Sequence, residues 1–556
     1  MINKQACKWL LPSVAVIALA AITWLPAQSS ASNHMKAAPA KTEKINKAEC
    51  FGCHGEVEQL HKDSKHAKLE CGTCHSGTAK HLEDSANKPL TSLELSTCGS
   101  CHKDQYESYY KVNYSAVARN EKGVPTGRSP YQDKLLAPHG FTKEHNEPRS
   151  HPFMVVDQLT VDRFARGRYQ FKDMFGYTRP GKTWDVLVDN GPDKLYPPDV
   201  SAAAGNPVCL QCKTSDLVLT WKYLGDKDPK AKWDRTSDVN ALIKDVHNPV
   251  GCIECHDPHA AKPRIIRDAL IDAVERDGAR PYDADKGKGL VKVVAFRDNF
   301  RKIGLLEPNA KGKVNSTLMC GQCHVEYNCN GGFEPVSGDK VTMADRRANH
   351  FPMKNALDLL AHYDNLKFRD FKHAVTGANL IKLQHPEMET YWGSVHDQAG
   401  VTCADCHMPK EKNKAGKTFT SHEVVRPKDH VKASCLGCHP KSTVEEKLYQ
   451  LKTVQNYTKG KMREAEVAIV QLIDTYAKAK EKGVAEDVLA QARKQHEISH
   501  VLWEWWTAEN SDGWHNPKLA KESLFLAIVE ANKGTKLLKD AISPPPPTPA
   551  AAPAAK

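Results

Sequence analysis

The pattern C-x-x-C-H occurs seven times in this chain. Its first three copies are Cys50, Cys53 and His54; Cys71, Cys74 and His75; and Cys98, Cys101 and His102. The other four are Cys252, Cys255 and His256; Cys320, Cys323 and His324; Cys403, Cys406 and His407; and Cys435, Cys438 and His439. Each copy is an attachment site for c-type haem, in which two thiols add to the porphyrin vinyl groups and the histidine ligates the iron. An eighth pair, Cys209 and Cys212, is followed by Lys213 in "NPVCLQCKTSD". These eight pairs take sixteen of the 18 cysteines and leave Cys7 and Cys329, so a disulfide framework has almost no thiols to use. Structural zinc needs two cysteine pairs closing on one ion, whereas here each pair carries its own adjacent histidine or lysine. The chain is therefore expected to carry eight covalently bound haem c groups.

That load explains two features of composition. The apolar fraction is 40%, below the usual 45 to 50%, and eight flat apolar porphyrins make up the deficit. The formal charge of +11 invites a nucleic-acid reading, but the haem propionates bring the loaded chain to roughly +3. No nucleic-acid partner is expected. The N-terminus has Lys4 and Lys8, an apolar run, then small residues around Ala27 to Ala31, which reads as a secretory signal over residues 1–31. Cys7 precedes the apolar run and leaves with it. The mature chain is expected to be periplasmic, where haem c is attached.

Motif density divides the rest. Three motifs crowd into Cys50 to His102 and predict an N-terminal tri-haem domain over 32–130; the other five predict a catalytic body over 131–440. The stretch between Lys103 and Val208 is turn-rich and reads as loops over cofactors. Beyond it, Ile469, Leu472, Ile473, Tyr476 and Ala477 keep helical periodicity in a helix ending near Gly483. Further helices are expected over Ala485 to Trp506 and Pro517 to Leu538, completing a C-terminal helical region, 441–542. A Pro/Ala tail over 543–556 should be disordered. The fold class is mainly α, a multihaem cytochrome c with little regular sheet, a haem-packed core and long C-terminal helices.

Lys213 is the residue that points to catalysis. Imidazoles on both faces saturate a haem iron and leave an electron relay. Seven of the 26 histidines sit in motifs, so the remainder suffice to cap seven irons, and nothing forces one onto the eighth. A lysine amine ligates iron only when deprotonated, against an ordinary pKa of about 10.4, so iron and a desolvated pocket must displace its proton. The bland alternatives are a degenerate site with an unused lysine and a structural variant.

"CGQCHVEY" (Cys320 to Tyr327), "KLQHPE" (Lys382 to Glu387), "CADCHMP", "NEPRSH" and "ENSDGWHNP", together with the C-x-x-C-K site, resemble the ammonia-forming cytochrome c nitrite reductases. The three leading motifs and the Tyr327-Asn328-Cys329 arrangement resemble the octahaem nitrite reductase subgroup. The resemblance implies Lys213 as proximal ligand, with Tyr327, His385 and an arginine on the open face. Arg163 fits best, with Arg166 and Arg168 as alternatives. It also implies a Cys329 thiol bonded to the Tyr327 ring, and a calcium ion held by the Glu326 and Gln384 side chains and the Tyr327 and Lys382 carbonyls. Distal ligands implied for the body are His151, His396, His422 and His515. For the tri-haem domain, proximity points to His61, His66 and His81, with His139, His145, His247, His259 and His373 as competitors.

The activity implied is six-electron reduction of nitrite to ammonium, with hydroxylamine a further substrate and sulfite a slow one. An electron-donor protein or quinol dehydrogenase and a homo-oligomeric state follow from the same resemblance. The rival readings are a hydroxylamine oxidoreductase, which Lys213 argues against, and a non-catalytic multihaem conduit, which leaves Lys213 unexplained.

Overall fold

The computed structural model describes residues 45–111, 131–137, 151–154, 207–226, 231–242, 245–282, 289–296 and 301–543. The signal segment, the Pro/Ala tail and most of the turn-rich stretch before Val208 lie outside these residues. The described residues all fall within one compact unit, Ala38–Lys556.

Short helical turns carry the cysteine pairs. Lys47–Phe51, Leu95–Gly99, Pro207–Gln211, Cys252–Cys255, Thr317–Cys320 and Cys403–His407 are helices of four or five residues, and Cys71–Thr73 is a 3-10 turn. Residues three apart on a helix share a face, so one turn aims both thiols of a pair in one direction. The turns near the N-terminus bury little of their own. In segment 45–111 the buried residues are His61, Gly72, Thr78, Leu95 and Ser108, of which only Leu95 is a large apolar side chain.

Sheet is confined to small antiparallel pieces. The largest has strands β1 (His256–Asp257), β2 (Lys262–Ile265), β3 (Val291–Phe296) and β4 (Arg301–Leu306), in the order β1-β2-β4-β3. It starts on a motif histidine, so it fixes the backbone immediately after the fifth cysteine pair.

The C-terminal region is three long helices: α1 (Val444–Glu481), α2 (Glu486–Ala508) and α3 (Pro517–Ile542). A capping box starts α1: the Thr443 hydroxyl accepts from Glu446 N at 3.1 Å, and the Glu446 carboxylate accepts from Thr443 N at 2.9 Å. Gly483, with φ of 70°, follows the end of α1 in a left-handed conformation that costs glycine little. Asn516 caps α3, with Pro517 in its first turn. Ala465, Ala468, Ile469, Leu472, Ile473, Tyr476 and Ala479 line the buried side of α1 and join α2 and α3 side chains, including Trp503, Trp506, Leu524 and Ala531, in one core. Burial of each large side chain contributes about 2 kcal/mol. A Cβ on Gly534 of α3 would come 2.8 Å from Leu472 Cδ1, so the bare backbone there lets α3 approach α1. Trp505 Nε1 donates to Thr390 Oγ1 at 2.8 Å and ties the helices to the motif-bearing body.

Candidate active site

Each of the seven motif histidines faces a second histidine. The pairs are His54 with His81 at 6.3 Å between ring centres, His102 with His66 at 6.1 Å, and His75 with His259 at 6.1 Å. In the body they are His256 with His422 at 6.3 Å, His324 with His151 at 6.5 Å, His407 with His515 at 6.3 Å, and His439 with His396 at 6.3 Å. An iron holding one imidazole on each face, through bonds of about 2 Å, needs ring centres roughly 6 Å apart. The spacing is thus that of bis-histidine haem ligation. His61, expected as a partner from sequence proximity, faces Phe51 instead, at 5.9 Å. It ends the helix Gly55–His61, whose turn sets that direction, and His259 faces the remaining motif ring.

The thiols of the pairs are not equally enclosed. Cys209 is buried, and Cys71, Cys74, Cys255, Cys323 and Cys406 are half-buried. Cys53, Cys101 and Cys438, the second thiols of the first, third and last motifs, are exposed. The reason is position. Cys53 and Cys101 follow short surface turns in segment 45–111, and Cys438 lies among exposed residues between the turn Val431–Ser434 and the start of α1.

Hydrogen bonds at Nδ1 fix several rings and leave Nε2 for a metal. His66 Nδ1 meets Pro258 O at 2.8 Å, His81 Nδ1 meets Asn87 O at 2.9 Å, and His75 Nδ1 meets Thr91 Oγ1 at 3.1 Å. His407 Nδ1 meets Val425 O at 2.9 Å and His422 Nδ1 meets Thr420 O at 3.0 Å. Carboxylates stand beside two further rings: Glu509 lies 2.7 Å from His515 Nδ1, and Glu387 lies 3.5 Å from His324 Nδ1. Burial pushes the pKa values of His151, His256, His259 and His407 down to about 4, which keeps these rings in the neutral, ligating form. Burial opposes the charge on Glu387, but His324, His385 and Asn510 outweigh it and hold its pKa at about 2.

The eighth motif is built differently. Cys209 lies in the wholly buried turn Pro207–Gln211, Lys213 is itself buried, and its Nζ donates to Cys209 O at 2.7 Å. Cys209, Tyr327 and Cys329 belong to one apolar cluster with Phe351 and Met388, and the Tyr327 ring centre lies 5.6 Å from that of Phe351. None of the described cysteines forms a disulfide. Cys212 Sγ donates to Gln322 O at 3.9 Å, so the lysine motif abuts the motif that leads into Tyr327.

Beside Tyr327 the polar groups converge without satisfying one another. Glu326 is fully buried; one carboxylate oxygen accepts from Gln384 N at 2.8 Å, while Oε1 has no hydrogen-bond partner. Both polar atoms of the buried Gln384 side chain are likewise unpartnered. Burial, with Glu389 adding to it, pushes the Glu326 pKa well above its ordinary value. A carboxylate oxygen and an amide oxygen left over in a buried site suit a hard divalent cation. Among the described residues, no three His, Cys, Asp or Glu side chains converge as a metal cluster, so such an ion would rely on carbonyls as well. His385 is half-buried one residue beyond Gln384, and Lys382 Nζ pairs with Glu504 at 2.8 Å.

Arg163, Arg166, Arg168, His139 and His145 lie outside the described residues. His373 turns its Nε2 to Lys134 O at 2.8 Å and packs on His496. Sequence reasoning missed two carboxylates that steer rings, Glu387 and Glu509, although both lie inside the quoted motifs. It also missed buried Arg267, which pairs with Glu254 at 3.2 Å and bears electrostatically on Cys212; nothing in its local sequence marks it.

Residues 193–551 match the family described as cytochrome c552. The chain is 28% identical over 509 residues to the cytochrome c nitrite reductase subunit NrfA of Nitratidesulfovibrio vulgaris, covering 84% of this chain and 80% of that one. It is 25% identical over 492 residues to cytochrome c-552 of Haemophilus ducreyi, covering 83% and 81%. The solved cytochrome c nitrite reductase of Desulfovibrio desulfuricans, described with two calcium sites in its catalytic subunit, has the same fold at a TM-score of 0.57. That match is 23% identical and covers 81% of this chain and 86% of that one.

Proposed function

Because the chain belongs to the cytochrome c552 family, and so carries covalent haem c, we propose that it is a nitrite reductase forming ammonium at a haem ligated by Lys213. The observation that carries this reading is the contrast between seven imidazole pairs and one buried lysine. The seven imidazole pairs would cap irons that relay electrons, whereas Lys213 would leave its iron a face for substrate. The names of the relatives support the substrate, since one of those compared is a nitrite reductase over most of its length.

Haem held at Cys209 and Cys212 would supply the iron that binds nitrite, and the six electrons would reach it from the external donor through the other haems. The chain's own residues supply the rest. Reduction of nitrite to ammonium and two waters takes six electrons and eight protons, so donors must stand at the open face. Tyr327 and His385 are these donors, general acids whose hydrogen bonds also orient the anion. Arg163 adds fixed positive charge for an anionic substrate. Cys329, buried two residues beyond Tyr327, is assigned to a thioether that holds the phenol ring, its formation releasing two protons and passing two electrons to ferric haem. Glu326 and Gln384, with the Tyr327 and Lys382 carbonyls, would hold calcium, whose charge keeps the tyrosine and histidine loops together.

We further assign eight haems in all, three in the N-terminal domain (32–130) and five in the body (131–440). Hydroxylamine is a second substrate and sulfite a slow one. The setting is periplasmic, with an electron-donor protein or quinol dehydrogenase upstream and a homo-oligomeric assembly. The test is direct: dithionite-reduced protein should consume nitrite and release ammonium one for one. A conduit would show no turnover and only low-spin haem. A high-spin signal in the wild type, together with turnover, is the expected result.

A further inference from the structure

His259 was one of several competitors in the sequence, and it belongs to the body, whereas His75, the ring it faces, belongs to the N-terminal segment. We propose that His259 is the second axial ligand of the haem attached at Cys71 and Cys74, so that a single iron fastens the N-terminal segment to the body. The proposal rests on the bis-histidine reading given above.

The geometry is the most regular of the seven pairs: the ring centres are 6.1 Å apart and the planes differ by 8°. Both rings are held. His75 Nδ1 meets Thr91 Oγ1 at 3.1 Å, which turns Nε2 towards His259. On the other side Asp257 Oδ1 accepts from His259 N at 3.0 Å and Ala260 N at 2.7 Å, forming a tight turn. Arg264 Nη1 fixes that carboxylate at 2.8 Å, and both side chains are buried. The turn therefore fixes the backbone that carries the ring through contacts within the body alone.

The same turn serves a second haem. Pro258 O meets His66 Nδ1, and His66 faces His102 of the third motif. Adjacent residues thus supply a ligand to one N-terminal haem and orient a ligand of the next. Tyr109 Oη donates to Val250 O at 2.5 Å alongside. His61, the competitor for His75, has its ring against Phe51.

The experiment counts carbon-monoxide-binding haems in the reduced, full-length holoprotein. Wild type should show one, at the lysine motif. His259→Gly should show two, with low-spin character restored by added imidazole, while His61→Gly should match wild type. His81→Gly checks the underlying reading by the same gain. A gain in His81→Gly with none in His259→Gly overturns the assignment of His259 alone; no gain in either overturns the bis-histidine reading and this proposal with it. Should the glycine variant not accumulate, His259→Met keeps a ligand and raises the potential of one haem; a redox titration identical to wild type would refute the assignment.

Discussion

The C-terminal helices and segment 45–111 are held together by different material. In α1, α2 and α3 the interface is the chain's own: leucine, isoleucine, alanine and tryptophan side chains close a core, with Gly534 cut back to let two helices meet. In segment 45–111 one large apolar side chain, Leu95, is buried, and the motif thiols Cys53 and Cys101 are exposed. Its helices are of seven residues or fewer, too short to persist alone in water. The first region has a core of amino acids; the second needs porphyrin to complete one.

The largest test of that contrast is withdrawal of the cofactor. In a chain made without haem attachment, amide exchange should find α1 to α3 protected and segment 45–111 exchanging at unfolded-chain rates. Protection of both would erase the distinction. Next in size is Lys213→Ala, expected to lower nitrite turnover about 1000-fold, equivalent to about 4 kcal/mol, while the spectra of the seven paired haems stay put. Loss confined to binding would move the lysine out of the chemistry.

Within the helices, Leu472→Ala should cost about 3 kcal/mol in denaturant unfolding, because a fully buried leucine leaves a cavity. A negligible cost would mean that the helical core is not self-supporting. Glu387→Gln should weaken the fixing of His324 and lower turnover about tenfold, the low end for a group orienting a metal ligand; steady-state assay reads it. The smallest effect is Thr443→Ala, which removes half a capping box and should cost about 1 kcal/mol, measurable as a lowered midpoint.

What the sequence made legible follows from the range of each interaction. Cysteine pairs, the lysine at 213 and helical periodicity are local, so they could be read directly, and the C-terminal helices lie where periodicity puts them. Helix α1 begins at Val444, much earlier than the stripe of Ile469 to Ala477 suggests, because its first turns are stabilised by the Thr443–Glu446 box rather than by apolar residues. Partnerships between histidines are tertiary. Proximity points to His66 and His81, whose rings do face motif histidines, and also to His61, whose ring does not. His259 could not be reached that way, since its direction is set by Asp257 and Arg264 in the body. Glu326 and Gln384 were reached through the resemblance and not through spacing, and the exposure of Cys438 against the half-burial of Cys406 in an identical motif could not be read at all, because burial is a property of the fold.

The hydrogen bond between His66 and Pro258 joins residues 192 positions apart in the chain. Closing a loop of that length costs about 5 kcal/mol of chain entropy before any local reward, and a segment without its own core has little to set against it. Until the sheet that begins at His256 has folded, segment 45–111 lacks the Pro258 carbonyl that fixes the ring of His66.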